Sequence, residues 1–175
     1  MNQVCLNAVI SFYTDNISKD PEITELMIAG LHWYLTSQSY DHDFEKFSWQ
    51  YSVLDNIHRL KCLSDSKYRK ITKGKGHPQR PVSLHSRYGV VLHRAFSTPV
   101  GNGNAKALAK YRNQLIHEAR WIDRPLGYAV RRESHYLTLA LTQFNSQLIL
   151  QSLGIKCRFL KLDADMLVPA SLGLE

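Results

Sequence analysis

Apolar side chains recur at helical spacing along most of the chain, and the apolar–polar alternation that marks strands is nearly absent. Val4, Ala8, Val9, Phe12 and Tyr13 give a short first helix that starts within the first turn of the chain, as in a piece cut from something longer. Asp20 is a natural N-cap, with Pro21 at the first helical position and Glu22 near the positive helix end. The helix it opens runs to about Ser37 and turns Ile23, Leu26, Met27, Gly30, Leu31 and Tyr34 to one side. A second long helix follows from Asp43 to near Cys62, with the stripe Phe44, Phe47, Tyr51, Leu54 and His58 widened by Val53, Ile57 and Leu60. The short polar turn between them makes the two antiparallel neighbours.

After Pro81 a helix is predicted to about Ser97, with Leu84, Tyr88, Val91, Leu92 and Ala95 inward. Thr98 to Gly103 is a turn, and Asn104 caps the next helix, which runs to about Trp121 before Asp123-Arg-Pro-Leu-Gly127 stops it. The last long helix, roughly Arg131 to Leu153, lines up Leu137, Leu141, Phe144 and Leu148 and ends at Gly154. Arg158 to Leu162 reads as a short strand or as irregular chain. These elements predict an all-α protein: an antiparallel bundle of four to five main helices in a single domain over residues 1–175, with its core in 20–155. Between Ser64 and Pro81 the pattern breaks. Gly74, Gly76, Pro78 and Pro81 read as a long loop, and a loop of that length inside a compact domain is usually functional or disordered.

The charge distribution sharpens that picture. The 175 residues carry a formal net charge of +7, which invites a polyanionic partner. Much of the excess lies in the loop, where Lys67, Arg69, Lys70, Lys73, Lys75 and Arg80 face a single acid, Asp65. As a binding surface it would track an RNA backbone, with Tyr68 and His77 free to stack on bases; as a bland feature it is a solvated lysine-rich loop. The three cysteines, Cys5, Cys62 and Cys157, are isolated and odd in number, which fits reduced thiols in a cytoplasmic setting. No apolar run approaches the roughly 20 residues that span a bilayer, so no membrane partner is expected.

The stretch from Lys110 to Trp121 holds the candidate chemistry. On a helix, Leu108, Leu115 and Ala119 fall on one face, with Ala105, Ala109 and Ile116 beside them and Arg112 in the middle of the stripe. A guanidinium placed there must meet an anion or line a wet cleft. Asn113 and His117, four residues apart, lie together on the flank.

Arg112-Asn113-x3-His117 matches the Arg-x4–6-His signature of the HEPN superfamily. The run Leu108-Ala-Lys-Tyr-Arg-Asn-Gln-Leu-Ile-His117-Glu118 resembles that family's leucine, Arg-Asn, two apolar residues, His-Glu pattern. Leu54-Asp55 stands where many relatives show Leu-Glu. The resemblance covers most of residues 20–155 and is closest to the ApeA-like and abortive-infection branches. It implies a helical bundle that dimerises so that two motif helices face one cleft. It also implies metal-independent endoribonuclease activity, with toxin or phage-defence roles common and an antitoxin or an associated module as a further partner. The chemistry agrees. Metal-free RNA cleavage needs a base for the 2′-OH, an acid for the 5′-oxygen and fixed positive charge on the phosphorus centre. A histidine can move either proton and an arginine clamps phosphate oxygens.

On an unbroken α-helix Arg112 and His117 diverge by about 140°, so one subunit alone makes a poor site and a homodimer is expected to complete it. The catalytic candidates are therefore Arg112, Asn113 and His117, with Asp55, Glu118 and His58 in support. Asp55 is placed to pair with Arg112 or steer it, and His58 reads first as a hydrogen-bonded core histidine. Two alternatives stand beside this reading. In one, Arg112 is buried against Asp55 and His117 is an ordinary helix-end histidine. In the other, a HEPN-type domain binds RNA or nucleotide, or scaffolds a partner, without cutting. Asp41-His42-Asp43 has no partner pair at zinc-like spacing, and neither a metal nor another cofactor is expected. Trp33, Trp49 and Trp121 read as packing residues, with a place at the dimer interface as the alternative for Trp121.

Overall fold

A computed structural model of the chain describes residues 3–92, 96, 106–126 and 132–155. Among the described residues the protein is all-α apart from one very short hairpin. Its described helices are α1 (Gln3–Asn16), α2 (Pro21–Ser37), α3 (Asp43–Ser64), α4 (Ser66–Thr72), α5 (Arg80–Tyr88), α6 (Lys106–Asn113) and α7 (Arg132–Ser152). None of them is long and apolar enough to cross a membrane.

α3 is the central element. It runs antiparallel to α2: Gln50 Nε2 donates to Ser37 Oγ at 2.6 Å near one end, and Glu22 pairs with Arg59 near the other. Along α7 it runs parallel instead. Asp43 accepts from Ser134 Oγ at 3.1 Å, and seven residues further on Asn145 Nδ2 donates to both the carbonyl and the side chain of Gln50 at 2.7 Å. The bundle is therefore not antiparallel throughout, because the chain crosses its length between α3 and α7. Phe47, Val53, Leu54 and Ile57 of α3 meet Leu84, Leu108, Leu137, Leu141, Phe144 and Leu148 in one core. α1 has no buried residue; its Phe12 leans on a smaller cluster of Ile23, Met27 and Leu60.

Asp20 caps α2 as its sequence predicts, its carboxylate accepting from the Ile23 N–H at 3.2 Å. Gly154 closes the α7 end with φ +71°.

The predicted long loop is mostly helix. Asp65 caps α4 by accepting from the N–H groups of Lys67 (2.9 Å) and Tyr68 (3.1 Å), while its second oxygen takes Arg87 Nε (2.8 Å) and Tyr88 OH (3.1 Å) from α5. One acid thus opens α4 and ties it to α5. Gly74, at φ +78°, marks the irregular remainder, and His77–Gln79 form a 3-10 turn leading into α5. Tyr68 is fully buried, against His58 and Tyr88, and cannot stack on a base. α5 ends at Tyr88, well short of Ser97, because Gly89 adopts the left-handed conformation at φ +68°. Ala95, the turn at 98–103, the Asn104 cap and the stretch 158–162 lie outside the described residues.

Candidate functional site

The motif helix does not run on to Trp121. After Asn113 it passes into a π-helical turn, Gln114–Glu118, and Ala119, at φ +49°, stops it, its N–H bonded to the carbonyl of Gln114 five residues back. β1 (Arg120–Trp121) and β2 (Arg124–Pro125) then pair antiparallel around a two-residue turn, Ile122 and Asp123, with φ +48° and +63°. Positive φ at both central residues is what a tight hairpin turn of this twist requires. Asp123 reaches back to the helix. Its carboxylate accepts from Gln114 Nε2 (2.7 Å) and Lys110 Nζ (2.8 Å), its N–H donates to Gln114 Oε1 (3.1 Å), and the two side-chain partners hold its pKa below the usual carboxylate range. The early stop therefore comes from the folded-back hairpin, ahead of the Pro125–Gly127 signal.

A π turn rotates less per residue than an α turn and closes its hydrogen bonds at i+5. Positions five apart within it come nearer to one face, so the divergence of Arg112 and His117 is smaller than in an unbroken α-helix. The phase change also moves the stripe: Leu108 and Ala109 are buried as expected and Ala107 is buried beside them, whereas Leu115 is half-buried and Ile116 and Ala119 are exposed.

Arg112 lines an open cleft of about 80 Å³ with Phe47, Tyr51, Asp55, Leu115 and Ile116 among its walls. Its guanidinium sits 5.9 Å from the Tyr51 ring centre, Nη1 donates to Asn113 Oδ1 at 3.1 Å, and Nε is buried without a partner. It is not sealed against Asp55. That carboxylate is taken by Arg80, and His77 Nδ1 lies 3.8 Å from the same oxygen. Arg80 is therefore an ion-pairing residue beside the cleft, not one of the solvated loop cations, and its Nε is another buried, unpartnered nitrogen. Tyr51, packed between the His77 ring at 6.3 Å and Arg112, has its phenol pushed up to about 12, chiefly by burial and then by Asp55.

Asn113 and His117 are exposed, and His117 is not among the residues lining the cleft. Glu118 is exposed, with Arg120 Nη1 4.0 Å away. His58 is the hydrogen-bonded core histidine that its stripe position suggests. Its Nδ1 meets Tyr68 OH at 2.8 Å, its Nε2 lies 3.7 Å from Cys62 Sγ, and burial followed by the nearby Arg80 pushes its pKa down to about 4. Trp121 is buried against Phe47, ring centres 4.7 Å apart, as a packing residue. Trp33 and Trp49 pack on each other at 6.2 Å.

Lys67, Arg69, Lys70, Lys73 and Lys75 all face solvent along α4 and the turn after it. Arg69, Lys70 and Lys73 edge a second, wide groove with His58, Cys62 and Thr72. Among the described residues no three His, Cys, Asp or Glu side chains converge as metal ligands would. Asp43, from the Asp41–Asp43 run, is buried and bonded to Ser134, with His135 Nδ1 at 3.4 Å.

The sequence reading did not find the grouping of Tyr51, Asp55, His77, Arg80 and Arg112. Its residues come from three helices and a 3-10 turn; the sequence marks Arg112 by its apolar stripe and Asp55 as a candidate neighbour, and carries no spacing that brings Tyr51, His77 and Arg80 to them. Compared with known family models, curated proteins and solved structures, the chain matches none.

Proposed function

We propose that this chain is a metal-independent endoribonuclease of HEPN type that acts as a homodimer, in toxin or phage-defence biology. The observation that supports it most is Arg112: a guanidinium in the wall of an open cleft, with no carboxylate of its own among the described residues and an amide beside it. Such a group binds phosphate oxygens and steadies the charge that builds on phosphorus. In this reading Asn113 helps orient Arg112 or the phosphodiester, and His117 moves a proton. The 2′-oxygen attacks phosphorus, the bond to the 5′-oxygen breaks, and the products are a cyclic phosphate and a 5′-hydroxyl. A partner subunit would bring a second motif helix to the joint.

The exposure of His117 away from the cleft favours a second reading, in which the domain holds RNA without cutting it. The two separate in one assay. Purified protein is incubated with RNA in EDTA, and His117→Ala is expected to lower the rate about 10²–10⁴-fold. Arg112→Ala is expected to lower it about 10²–10³-fold. Both variants should keep the wild-type circular dichroism. Growth arrest on expression that survives both substitutions would discard the nuclease reading.

A further inference from the structure

We propose that His77, which stands beside this cleft behind Tyr51 and Asp55, is a second proton-transfer group for it, oriented by Asp55 and acting on a phosphodiester held by Arg112 of the same subunit. The inference rests on the phosphodiester reading above and assigns within it a base that the motif does not contain. Tyr51 and Asp55 stand one turn apart on α3 and both line the cleft with Arg112. The 3-10 turn of His77 packs against α6, which carries Arg112. His77 Nδ1 is buried and faces Asp55 at 3.8 Å, too long for a hydrogen bond and short enough to close into one when the ring is charged. The side chain as a whole is 38% exposed. With Nδ1 buried, the exposed part of the side chain lies on the rest of the ring, and in this proposal Nε2 is the nitrogen that meets substrate.

The carboxylate beside Nδ1 favours the tautomer that carries its proton there, with no hydrogen bond between them at rest. A proton on Nδ1 facing Asp55 leaves the lone pair on Nε2, which is the state a base needs. The groups facing the ring are Tyr51, Asp55 and His58 from α3, Arg80 from α5 and Arg112 from α6. Burial and the two guanidinium groups lower the pKa of His77 against the opposing pull of Asp55, and so favour the uncharged ring. Two guanidinium charges against one carboxylate also leave the cluster with an excess positive charge for a phosphodiester to meet. In the step, Nε2 takes the 2′-OH proton as the bond from the 2′-oxygen to phosphorus forms. The bond from phosphorus to the 5′-oxygen then breaks, that oxygen takes a proton from a charged His117 on the motif helix the second subunit brings, and the cycle closes when His77 gives its proton to water and His117 takes one back.

The test uses the full chain and a 2′-O-methyl RNA oligonucleotide, which binds but cannot be cut. His77 is followed by imidazole NMR. Its titration midpoint should lie below that of a free histidine and rise when the oligonucleotide binds, because the phosphate offsets Arg80 and Arg112. On cleavable RNA, His77→Gln should lower kcat about 10²–10⁴-fold with KM nearly unchanged. Asp55→Asn, at a positioning residue, should move the acid limb of the pH–rate profile to lower pH. Mixing His77→Gln with Arg112→Ala subunits should restore no activity, since both groups act within one chain. The proposal fails if His77 stays unmoved while the Arg112 guanidinium signal shifts, if His77→Gln cuts at full rate, or if mixed subunits recover activity. A wild type that binds the oligonucleotide and cuts no RNA removes the nuclease reading itself, and the transfer step with it.

Discussion

Asp123 and Gln114 exchange two hydrogen bonds, the carboxylate accepting from Nε2 at 2.7 Å and the Asp123 N–H donating to Oε1 at 3.1 Å. Gln114 is buried and opens the π turn, so this clasp fixes where the motif helix stops and how Arg112 and His117 are spaced. Gln114→Ala leaves Asp123 N–H without its acceptor and should cost about 1–3 kcal/mol. Thermal unfolding should read that as a fall of roughly 2–4 °C per kcal/mol. Activity that depends on both motif residues should fall further than folding does, checked by kcat at a temperature where the variant is fully folded.

The Trp121 indole N–H is buried and has no partner among the described residues. Its ring nevertheless fills the space between Phe47 at 4.7 Å and Tyr111 at 6.0 Å. Trp121→Phe keeps most of that packing and removes a donor left dry, so its effect should stay within about 1 kcal/mol. Trp121→Ala should cost about 3–5 kcal/mol. Urea titration of the two variants gives the comparison, and equal losses would mean that the indole N–H is satisfied in solution.

How far the sequence could be read depended on the range of the interaction involved. α2, α3 and α7 declare themselves because their apolar stripes, the Asp20 cap and the Gly154 stop all act within a few residues. α4 was hidden because a lysine-rich run with glycines resembles a loop; its stability comes from Asp65, whose second oxygen is claimed by Arg87 and Tyr88 more than twenty residues later. At Gly89 a glycine stop competes with apolar positions that continue at helical spacing, and the backbone follows the glycine. The end of the motif helix depends on a hairpin folding back, with Ile122, a β-branched residue, held at φ +48°, and periodicity gives no sign of that. For the site, Arg112 stood out as a charge in an apolar stripe. Asp55 is a candidate to pair with it, steer it, or both, yet Arg80 occupies that carboxylate, because only tertiary contact decides which cation arrives.

His58 should make the fold sensitive to acid. Its folded-state pKa is about 4, against an ordinary value of 6.5, so above pH 6.5 the ring is neutral in both states. Between 6.5 and about 4 the unfolded chain takes up a proton that the folded one refuses, and stability falls as the pH drops. Below about 4 both states are charged and this contribution levels off. His58→Gln should flatten the slope of stability against pH across that window, measured by denaturant midpoints at several pH values. An unchanged slope would place the acid sensitivity elsewhere.

The exposed cations of α4 and its following turn allow a test that does not depend on catalysis. Lys67, Arg69, Lys70, Lys73 and Lys75 point into solvent, whereas Arg80 is engaged with Asp55. If the exposed groups follow an RNA backbone, each contact displaces condensed counterions. The plot of log affinity against log salt concentration for a single strand then steepens by about 0.7 per phosphate neutralised. Lys70→Ala and Lys73→Ala should each make that slope shallower by about that amount and weaken binding to unrelated sequences alike. Arg80→Ala should behave differently: it frees Asp55 beside the cleft, so it should alter folding stability and the pH response of His77 more than the salt slope. Equal salt slopes for wild type and the two lysine variants would show that this basic face is only a solvated surface and would move the nucleic-acid contact to the Arg112 side of the molecule.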